Sequence, residues 1–431
     1  MTYEKALEFI YGFLKFASKR DGLNGILKFL DILKNPQNSL KFIHIAGTNG
    51  KGSVATYCAT VLKTCGFKVG LFTSPYVVCF NERIKINGRF ILKKELKELV
   101  FSLKPIAKRL KKEGVFLTQF DFITIIAFVY FYKKKCDFVV LEVGLGGRLD
   151  STNVVLKPVV SIITRIDYDH VKELKAKTGE LILNIANEKA GIVKKKGLVV
   201  CSCNQYLKVL KFLKEQAKLK KAKLIFSYKI LNFKCTLNYN HFYFNKMKFK
   251  TRLLGPFQIE NAAICLTALL KIGISLKNIK KGLALAFIPA RFEVFKLKPL
   301  VVLDGAHNEN GVFCLKQSLN YLFGFKTNLV GVYASLKSKD FKRVMFKFKD
   351  VFKRVVLTQG EDEDFLKTSV LKREAKMLKI KSICKNNPLK ALEKAMELAG
   401  DCGVVVVFGS LKLASFVRKF LVEKVKKQKL N

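Results

Sequence analysis

The run Phe42-Ile43-His44-Ile45-Ala46-Gly47-Thr48-Asn49-Gly50-Lys51-Gly52-Ser53 constrains this chain more than any other stretch. Its first five residues read as a short apolar strand and the glycines as a turn. Ala55, Cys58, Ala59 and Leu62 then fall at helical spacing, which puts one apolar face on a following helix. A strand, a glycine turn and a helix N-terminus together make an anion cradle. Backbone N–H groups converge on the anion, the helix dipole favours negative charge, and a lysine neutralises it. The spacing departs from the common G-x-x-x-x-G-K-[ST] phosphate loop, because Gly52 separates Lys51 from Ser53. Strand, lysine and helix still stand where a triphosphate needs them.

The same alternation continues along the chain. Phe42–Ala46, Lys68–Phe72, Phe138–Glu142, Val159–Thr164 and Leu198–Ser202 read as strands, with helices around 93–112, 119–135 and 180–189. Such a pattern predicts an α/β fold, a mostly parallel sheet covered on both faces. Residues 223–254 carry aromatics at alternate positions and read as a small antiparallel patch, followed by a helix from Gln258 to Leu270. Pro289-Ala290-Arg291-Phe292 reads as a linker. Strands recur at 300–303, 327–332, 354–357, 380–383 and 404–408, so a second, smaller doubly wound domain is expected. The boundaries expected are 1–290 for the first domain and 296–431 for the second.

Composition narrows the class. The longest apolar run, Phe122 to Tyr132, is far short of the roughly 20 residues a membrane span needs, and reads as a buried helix. Met1 to Phe9 mixes Glu4 and Glu8 with Lys5 and shows no leader pattern, so a cytoplasmic protein is expected. The cysteines are odd in number and scattered, which favours reduced thiols over a disulfide framework. The formal charge of +47 raises the question of nucleic acid. Yet the lysines spread along the entire length without a basic tail or an arginine cluster, which favours solvated lysine-rich helix faces instead.

Polar motifs cluster at the C-terminal ends of the expected strands, where open α/β sheets bind ligands. Thr73-Ser74-Pro75 follows one strand. Glu142, which ends another, precedes the glycine-rich run Val143-Gly144-Leu145-Gly146-Gly147-Arg148-Leu149-Asp150-Ser151-Thr152-Asn153. Asp167-Tyr168-Asp169-His170 follows the next strand, and Glu188-Lys189-Ala190-Gly191 closes the helix after it. A serine hydroxyl and a strand-end glutamate are oxygen donors suited to a hard cation.

In this order the motifs resemble the folylpolyglutamate synthase/dihydrofolate synthase family of the Mur ligase superfamily. The likeness runs nearly end to end. It takes in Phe80-Asn81-Glu82-Arg83-Ile84, Gln258-Ile259-Glu260-Asn261-Ala262-Ala263, Arg291-Phe292-Glu293 and Asp304-Gly305-Ala306-His307-Asn308. The resemblance implies a P-loop-type ATP- and folate-binding domain followed by a Rossmann-like glutamate-ligase domain. By the same resemblance, Gly50, Lys51, Gly52, Ser53, Asn261, Arg291, Asp304 and His307 contact ATP. Ser74, Glu142 and His170 hold Mg²⁺, and Lys189 is carbamylated. Thr118, Gln119, Phe120 and Asp121 join Leu149, Asp150 and Ser151 around the pterin. Lys51, Glu142, His170 and Lys189 are the expected catalytic set.

The implied activity is an ATP-dependent ligase that joins L-glutamate to dihydropteroate, to a reduced folate, or to both, through an acyl phosphate. A monomer acting on small molecules is expected, with no membrane and no nucleic acid. The chain departs from the family pattern at Phe257 (usually histidine), Ala290 (usually glycine), Asp121 (usually glutamate) and across Asp169 to Lys175. No implied phosphate or metal ligand is lost. The rival readings are a monofunctional member of the pair, a Mur-type ligase acting on a cell-wall precursor, and a basic nucleic-acid-binding NTPase.

Overall fold

The computed structural model describes residues 2–14, 22–77, 79–168, 181–324, 327–360 and 362–430. The chain forms two compact units, Met1–Lys229 with Glu260–Leu285, and Ile230–Ile259 with Ala286–Asn431.

The first unit is built on an eight-stranded sheet. Its strands are β1 (Phe42–Ala46), β2 (Val69–Phe72), β3 (Ile84–Ile86), β4 (Arg89–Phe90), β5 (Phe138–Glu142), β6 (Val160–Ile163), β7 (Leu198–Cys201) and β8 (Lys223–Phe226). The spatial order is β4-β3-β2-β5-β1-β6-β7-β8. From β2 to β8 all neighbours are parallel, while β3 and β4 turn back as an antiparallel edge. Every residue of β1 is buried, as a central strand covered on both faces requires.

The apolar run after Gln119 is the helix Gln119–Lys133, hydrophobic all round and buried from Asp121 to Phe131. Among the described residues no helix is long and apolar enough to cross a membrane. The sheet is tightly fitted to this helix, since a Cβ on Gly70 of β2 would stand 2.7 Å from the Phe131 ring.

One sequence expectation fails at residues 223–226. They do not begin the antiparallel patch but extend the main sheet in parallel, with Leu198 opposite Lys223. The helix Leu207–Leu219 supplies the crossover that parallel pairing demands. Only β9 (Phe233–Cys235), β10 (Asn240–Phe244) and β11 (Met247–Thr251) form the antiparallel sheet. That small sheet groups with the second unit, where Phe233 stacks on Tyr321 and Gly255 leaves no room for a side chain beside Ser318.

The main sheet of the second unit contains β12 (Glu293–Phe295), β13 (Leu300–Leu303), β14 (Leu329–Tyr333), β15 (Arg354–Leu357), β16 (Ser382–Cys384) and β17 (Val404–Phe408). They run in the order β12-β13-β17-β14-β15-β16, parallel except for β12 at one edge. Residues 289–292, expected as a linker, are a pinned turn instead. Ala290 N donates to the Glu293 carboxylate at 2.8 Å, Phe292 N to Asp304 Oδ2 at 2.8 Å, and Gly305 N to Ala290 O at 2.9 Å.

Ala290 and Phe292 both lie in the left-handed region, at φ +54° and +46°, and both are buried. Holding a side chain there costs roughly 1–3 kcal/mol. Ala290→Gly is therefore expected to keep the thermal midpoint of this unit, whereas Ala290→Val, β-branched at positive φ, should lower it clearly. Equal melting of the two variants would contradict this account of the turn.

Candidate active site

The phosphate loop is laced to the segment that follows β6. Gly47, at φ +150°, leaves no space for a Cβ against Thr164. Thr48 N donates to Arg165 O at 2.9 Å, its hydroxyl donates to Asp167 O at 2.9 Å, and Asp167 N donates back to that hydroxyl at 3.0 Å. The Thr164 hydroxyl holds Asn49 O at 2.7 Å. Gly50, at φ +86°, is the N-cap of the helix Lys51–Thr64, and Asn261 of the helix Pro256–Lys271 occupies the space where a side chain on Gly50 would project. The loop backbone is therefore fixed before any anion arrives, with a helix N-terminus behind it.

Two lysines converge on this loop. Lys51 Nζ donates to Gly47 O at 3.0 Å and to Thr48 O at 3.1 Å. Lys189 is buried in the last turn of the helix Leu181–Ala190, and its Nζ donates to the same Gly47 O at 2.9 Å. Both ammonium groups thus lie on one carbonyl oxygen.

Beside the loop stand the ends of β5 and β2. Glu142 is buried, and Ser74 N donates to its Oε2 at 3.0 Å. A Cβ on Gly52 would lie 3.6 Å from each Glu142 carboxylate oxygen, so the bare backbone at Gly52 faces that carboxylate. The Ser74 N–H bond brings a hydroxyl-bearing residue and the Glu142 carboxylate together beside the phosphate cradle, an oxygen-donor pair that suits a hard cation taking its remaining ligands from phosphates and water. His170, the third expected metal ligand, lies outside the described residues. Among the described residues no group of three or more histidine, cysteine, aspartate or glutamate side chains is poised to hold a metal ion.

The segments expected around the pterin meet as one network. Thr118 and Asp121 form a reciprocal capping box on the helix Gln119–Lys133, with Thr118 N to Asp121 Oδ2 at 2.8 Å and Asp121 N to Thr118 Oγ1 at 3.1 Å. The Ser151 hydroxyl donates to Asp121 Oδ1 at 2.7 Å and ties the second segment to the first. Asp150 accepts from Leu145 N at 2.9 Å and from Thr152 N at 3.0 Å, which shapes the turn after the glycines. Thr118, Asp121, Asp150 and Ser151 are buried, whereas Gln119 and Phe120 are half-buried and Leu149 is exposed. The Phe120 ring packs on Gly144, where a Cβ would come within 2.6 Å.

The second unit carries its own cluster at the end of β13. Asp304 Oδ1 accepts from Ala306 N at 2.7 Å, while Oδ2 accepts from Phe292 N. Burial pushes the Asp304 carboxyl up, and the nearby Arg291 charge opposes that shift. His307 Nδ1 bonds Gly305 O at 2.8 Å. The Phe292–Asp304 bond thereby brings the turn that carries Arg291 against the segment of Asp304 and His307 that follows β13.

The Mur ligase middle domain family matches residues 45–269, and the Mur ligase glutamate ligase domain family matches residues 290–411. The dihydrofolate synthase/folylpolyglutamate synthase of Bacillus subtilis (strain 168) is 33% identical, across 97% of this chain and 99% of that protein. The chain belongs to the dihydrofolate synthase/folylpolyglutamate synthase family. Membership makes it an ATP-dependent ligase. Among solved structures, the folylpolyglutamate synthase of Thermotoga maritima superposes with a TM-score of 0.84 at 33% identity, covering 97% of this chain and 96% of that one. The Mycobacterium tuberculosis folylpolyglutamate synthase complexed with ADP and AMPPCP gives 0.87 at 27% identity, covering 97% and 99%.

Sequence reading missed several supports of this ligase's loops. Arg148 N donates to Glu188 O at 2.7 Å, and its guanidinium pairs with the Glu188 carboxylate at 2.8 Å, joining the glycine-rich run to the helix of Lys189. The signal was present in Gly147 and Gly191, since a Cβ on either would collide with backbone of the partner segment. His44 was read only as a strand residue. Its ring is fully buried, and Nε2 donates at 2.9 Å to Thr152 Oγ1, whose proton goes to Asp150 Oδ1. His44 Nδ1 finds no hydrogen bond among the described residues.

Burial, with a smaller contribution from the Lys194 charge, pulls the His44 pKa down to about 3. The folded state therefore refuses a proton that the unfolded chain accepts below pH ~6.5. Stability at this group is fully present above that pH and declines as pH falls from about 6.5 toward 3, by about 1.4 kcal/mol per unit. Between pH 7 and pH 5 the group should cost about 2 kcal/mol, read from urea midpoints. His44→Gln keeps a donor for Thr152 and should flatten that pH dependence; an unchanged slope would refute the assignment.

Proposed function

We propose that this ligase is bifunctional, joining L-glutamate to dihydropteroate and adding further L-glutamate to the γ-carboxylate of reduced folate. The observation that carries the reading is the convergence of Lys51, Ser74 and Glu142 on one glycine-fixed loop. It stands in a chain that matches a dihydrofolate synthase/folylpolyglutamate synthase over nearly its whole length. The reaction belongs among small molecules in the cytoplasm and needs neither membrane nor nucleic acid, and a monomer suffices for it.

A carboxylate is a poor electrophile, so amide formation needs prior activation. In the proposed sequence the substrate carboxylate attacks the γ-phosphorus of ATP and expels ADP, which leaves an acyl phosphate. The glutamate amine attacks the acyl carbon, and inorganic phosphate departs from the tetrahedral intermediate. The loop N–H groups at the start of the helix Lys51–Thr64 hold the phosphates, and Ser53 lies in its first turn. The Lys51 ammonium, now folded over Gly47 O, needs only a side-chain rotation to meet the transferring phosphoryl group and offset its charge. Asn261 stands against Gly50 in the first unit, and Arg291, Asp304 and His307 are proposed as the second unit's nucleotide contacts. Mg²⁺ would be held by Ser74 and Glu142, with His170 proposed as its third ligand, and would supply further neutralisation of phosphate charge when bound.

Carbamylation of Lys189, which the family resemblance implies, is proposed as well, and the electrostatics of the loop are compatible with it. Unmodified, its ammonium shares Gly47 O with Lys51 and repels it. Reaction of the neutral amine with CO₂ gives a carbamate and releases a proton, so that repulsion becomes attraction and the buried end gains oxygen donors. Gln119, Phe120 and Leu149 offer the surface proposed for the pterin, over the buried scaffold of Thr118, Asp121, Asp150 and Ser151.

Two experiments test the proposal. With ATP, Mg²⁺ and L-glutamate, both dihydropteroate and tetrahydrofolate should drive ADP release, with each product heavier by one glutamyl residue on mass analysis. Turnover of only one acid would remove bifunctionality, and turnover of neither would remove the substrate assignment. Separately, Lys189→Ala should lower kcat about 100-fold or more, the scale of losing one preorganised electrostatic group. Small carboxylates should restore part of the loss, and near-normal activity without them would exclude the carbamate.

A further inference from the structure

The motif Phe80-Asn81-Glu82-Arg83-Ile84 has no role in the mechanism above, yet it ends in the same row of strand ends. Because β3 runs antiparallel to β2, its first residues lie beside the last residues of β2, with Ile84 opposite Phe72. Thr73 N donates to Arg83 O at 3.0 Å, and the next residue, Ser74, donates its N–H to Glu142. Arg83, Ser74, Glu142 and the phosphate loop therefore stand on successive strands along one edge, in the order β3, β2, β5, β1. Neighbouring strands are spaced by about 4.8 Å, so the start of β3 lies about two spacings from the end of β5, with Ser74 between Arg83 and Glu142.

The Arg83 guanidinium is held by rings rather than by charge. It lies 5.1 Å from the Tyr76 ring centroid and 5.9 Å from that of Phe80. Its Nε is buried with no hydrogen-bond partner, and its side chain makes no ion pair with any described residue. The nearest carboxylate in sequence does not neutralise it. Glu82 turns back to accept from Val77 N at 2.9 Å and Cys79 N at 3.2 Å, closing its own loop. Lys85, within β3 and two residues after Arg83, adds a second cation, seated over the Phe90 ring at 5.2 Å. Burial pulls both groups below their ordinary pKa, and the Glu142 field is among the influences that oppose this. The planar fork is oriented by two rings, and its buried Nε keeps one donor unpaired, which is the preorganisation a carboxylate receptor needs.

We propose that Arg83 binds a carboxylate of the acid substrate, through a charge-assisted fork beside Ser74 and Glu142. The inference rests on the ligase reading above for the identity of that acid. Two carboxylates have the required chemistry. One is the reacting group, which both acids carry; the other is the α-carboxylate of the terminal glutamyl residue, which tetrahydrofolate carries and dihydropteroate lacks.

The test compares wild type with Arg83→Ala and Arg83→Lys, using steady-state turnover together with calorimetric titration of each acid. Losing a charge-assisted fork should raise KM and Kd for the acid about 10- to 100-fold, while KM for ATP stays within about twofold. Guanidinium chloride should restore part of the Arg83→Ala loss, and Arg83→Lys should fall between. Weakening of both acids assigns the fork to the reacting carboxylate; weakening of tetrahydrofolate alone assigns it to the α-carboxylate. Unchanged acid affinity in an active enzyme would overturn the inference and leave the ligase reading intact. So would a parallel loss of acid binding, ATP binding and thermal stability without guanidinium rescue. If wild type binds an acid but does not turn it over, the ligase reading falls, and loss of that binding in the variants still upholds Arg83. If wild type binds neither acid, both fall.

Discussion

The Gly47 carbonyl is the point on which the first unit turns. It lies where β1 hands over to the helix Lys51–Thr64, and it receives hydrogen bonds from both Lys51 and Lys189. A side chain at Gly47 would strike Thr164, and one at Gly50 would strike Asn261. The loop is thus packed on one side by the segment after β6 and on the other by the helix of Asn261. Its backbone is set by neighbours that are distant in sequence, so the phosphate cradle exists only in the folded sheet. The arrangement is a preorganised one, with the conformational cost met in folding rather than at the moment of reaction.

From this point the remaining chemistry follows the strand order. Because β5 lies next to β1 and β2 next to β5, Glu142 and Ser74 must come to the loop. That placement was legible in the sequence, since each residue closes an apolar run and parallel strands align their C-terminal ends. The same logic explains why Arg83 was not singled out. It closes the short turn Phe80–Arg83 that leads into β3, and β3 runs the other way, so Arg83 reaches the edge at the N-terminal side of a strand and nothing in the local sequence announces the reversal.

Much of the fold was legible for the same reason. Buried parallel strands are apolar throughout, and β1, β5, β13, β15 and β17 have the bounds that their sequence runs suggest. Residues 223–226 were misplaced because a four-residue run with partial burial carries no signature of parallel pairing, which the crossover helix alone imposes. The turn at 289–292 was read as a linker because its restraints come from Asp304, Gly305 and Glu293, and because Ala290 hides a left-handed backbone behind a residue that usually avoids it. In the substrate-side loops, sequence and likeness named Asp121 and Asp150. The structure gives their carboxylates to capping and turn bonds, with Gln119, Phe120 and Leu149 nearer the surface. That division depends on which groups meet across 30 residues of chain, as Ser151 meets Asp121.

The central claim is that the loop of Lys51 serves to convert a substrate carboxylate into an acyl phosphate. Turnover of an acid whose reacting carboxylate carries ¹⁸O tests it most directly, with the released inorganic phosphate analysed by mass. Activation through an acyl phosphate transfers one labelled oxygen from each carboxylate to phosphate. Unlabelled phosphate accompanied by labelled amide product would contradict it, and the phosphate loop would then need another role.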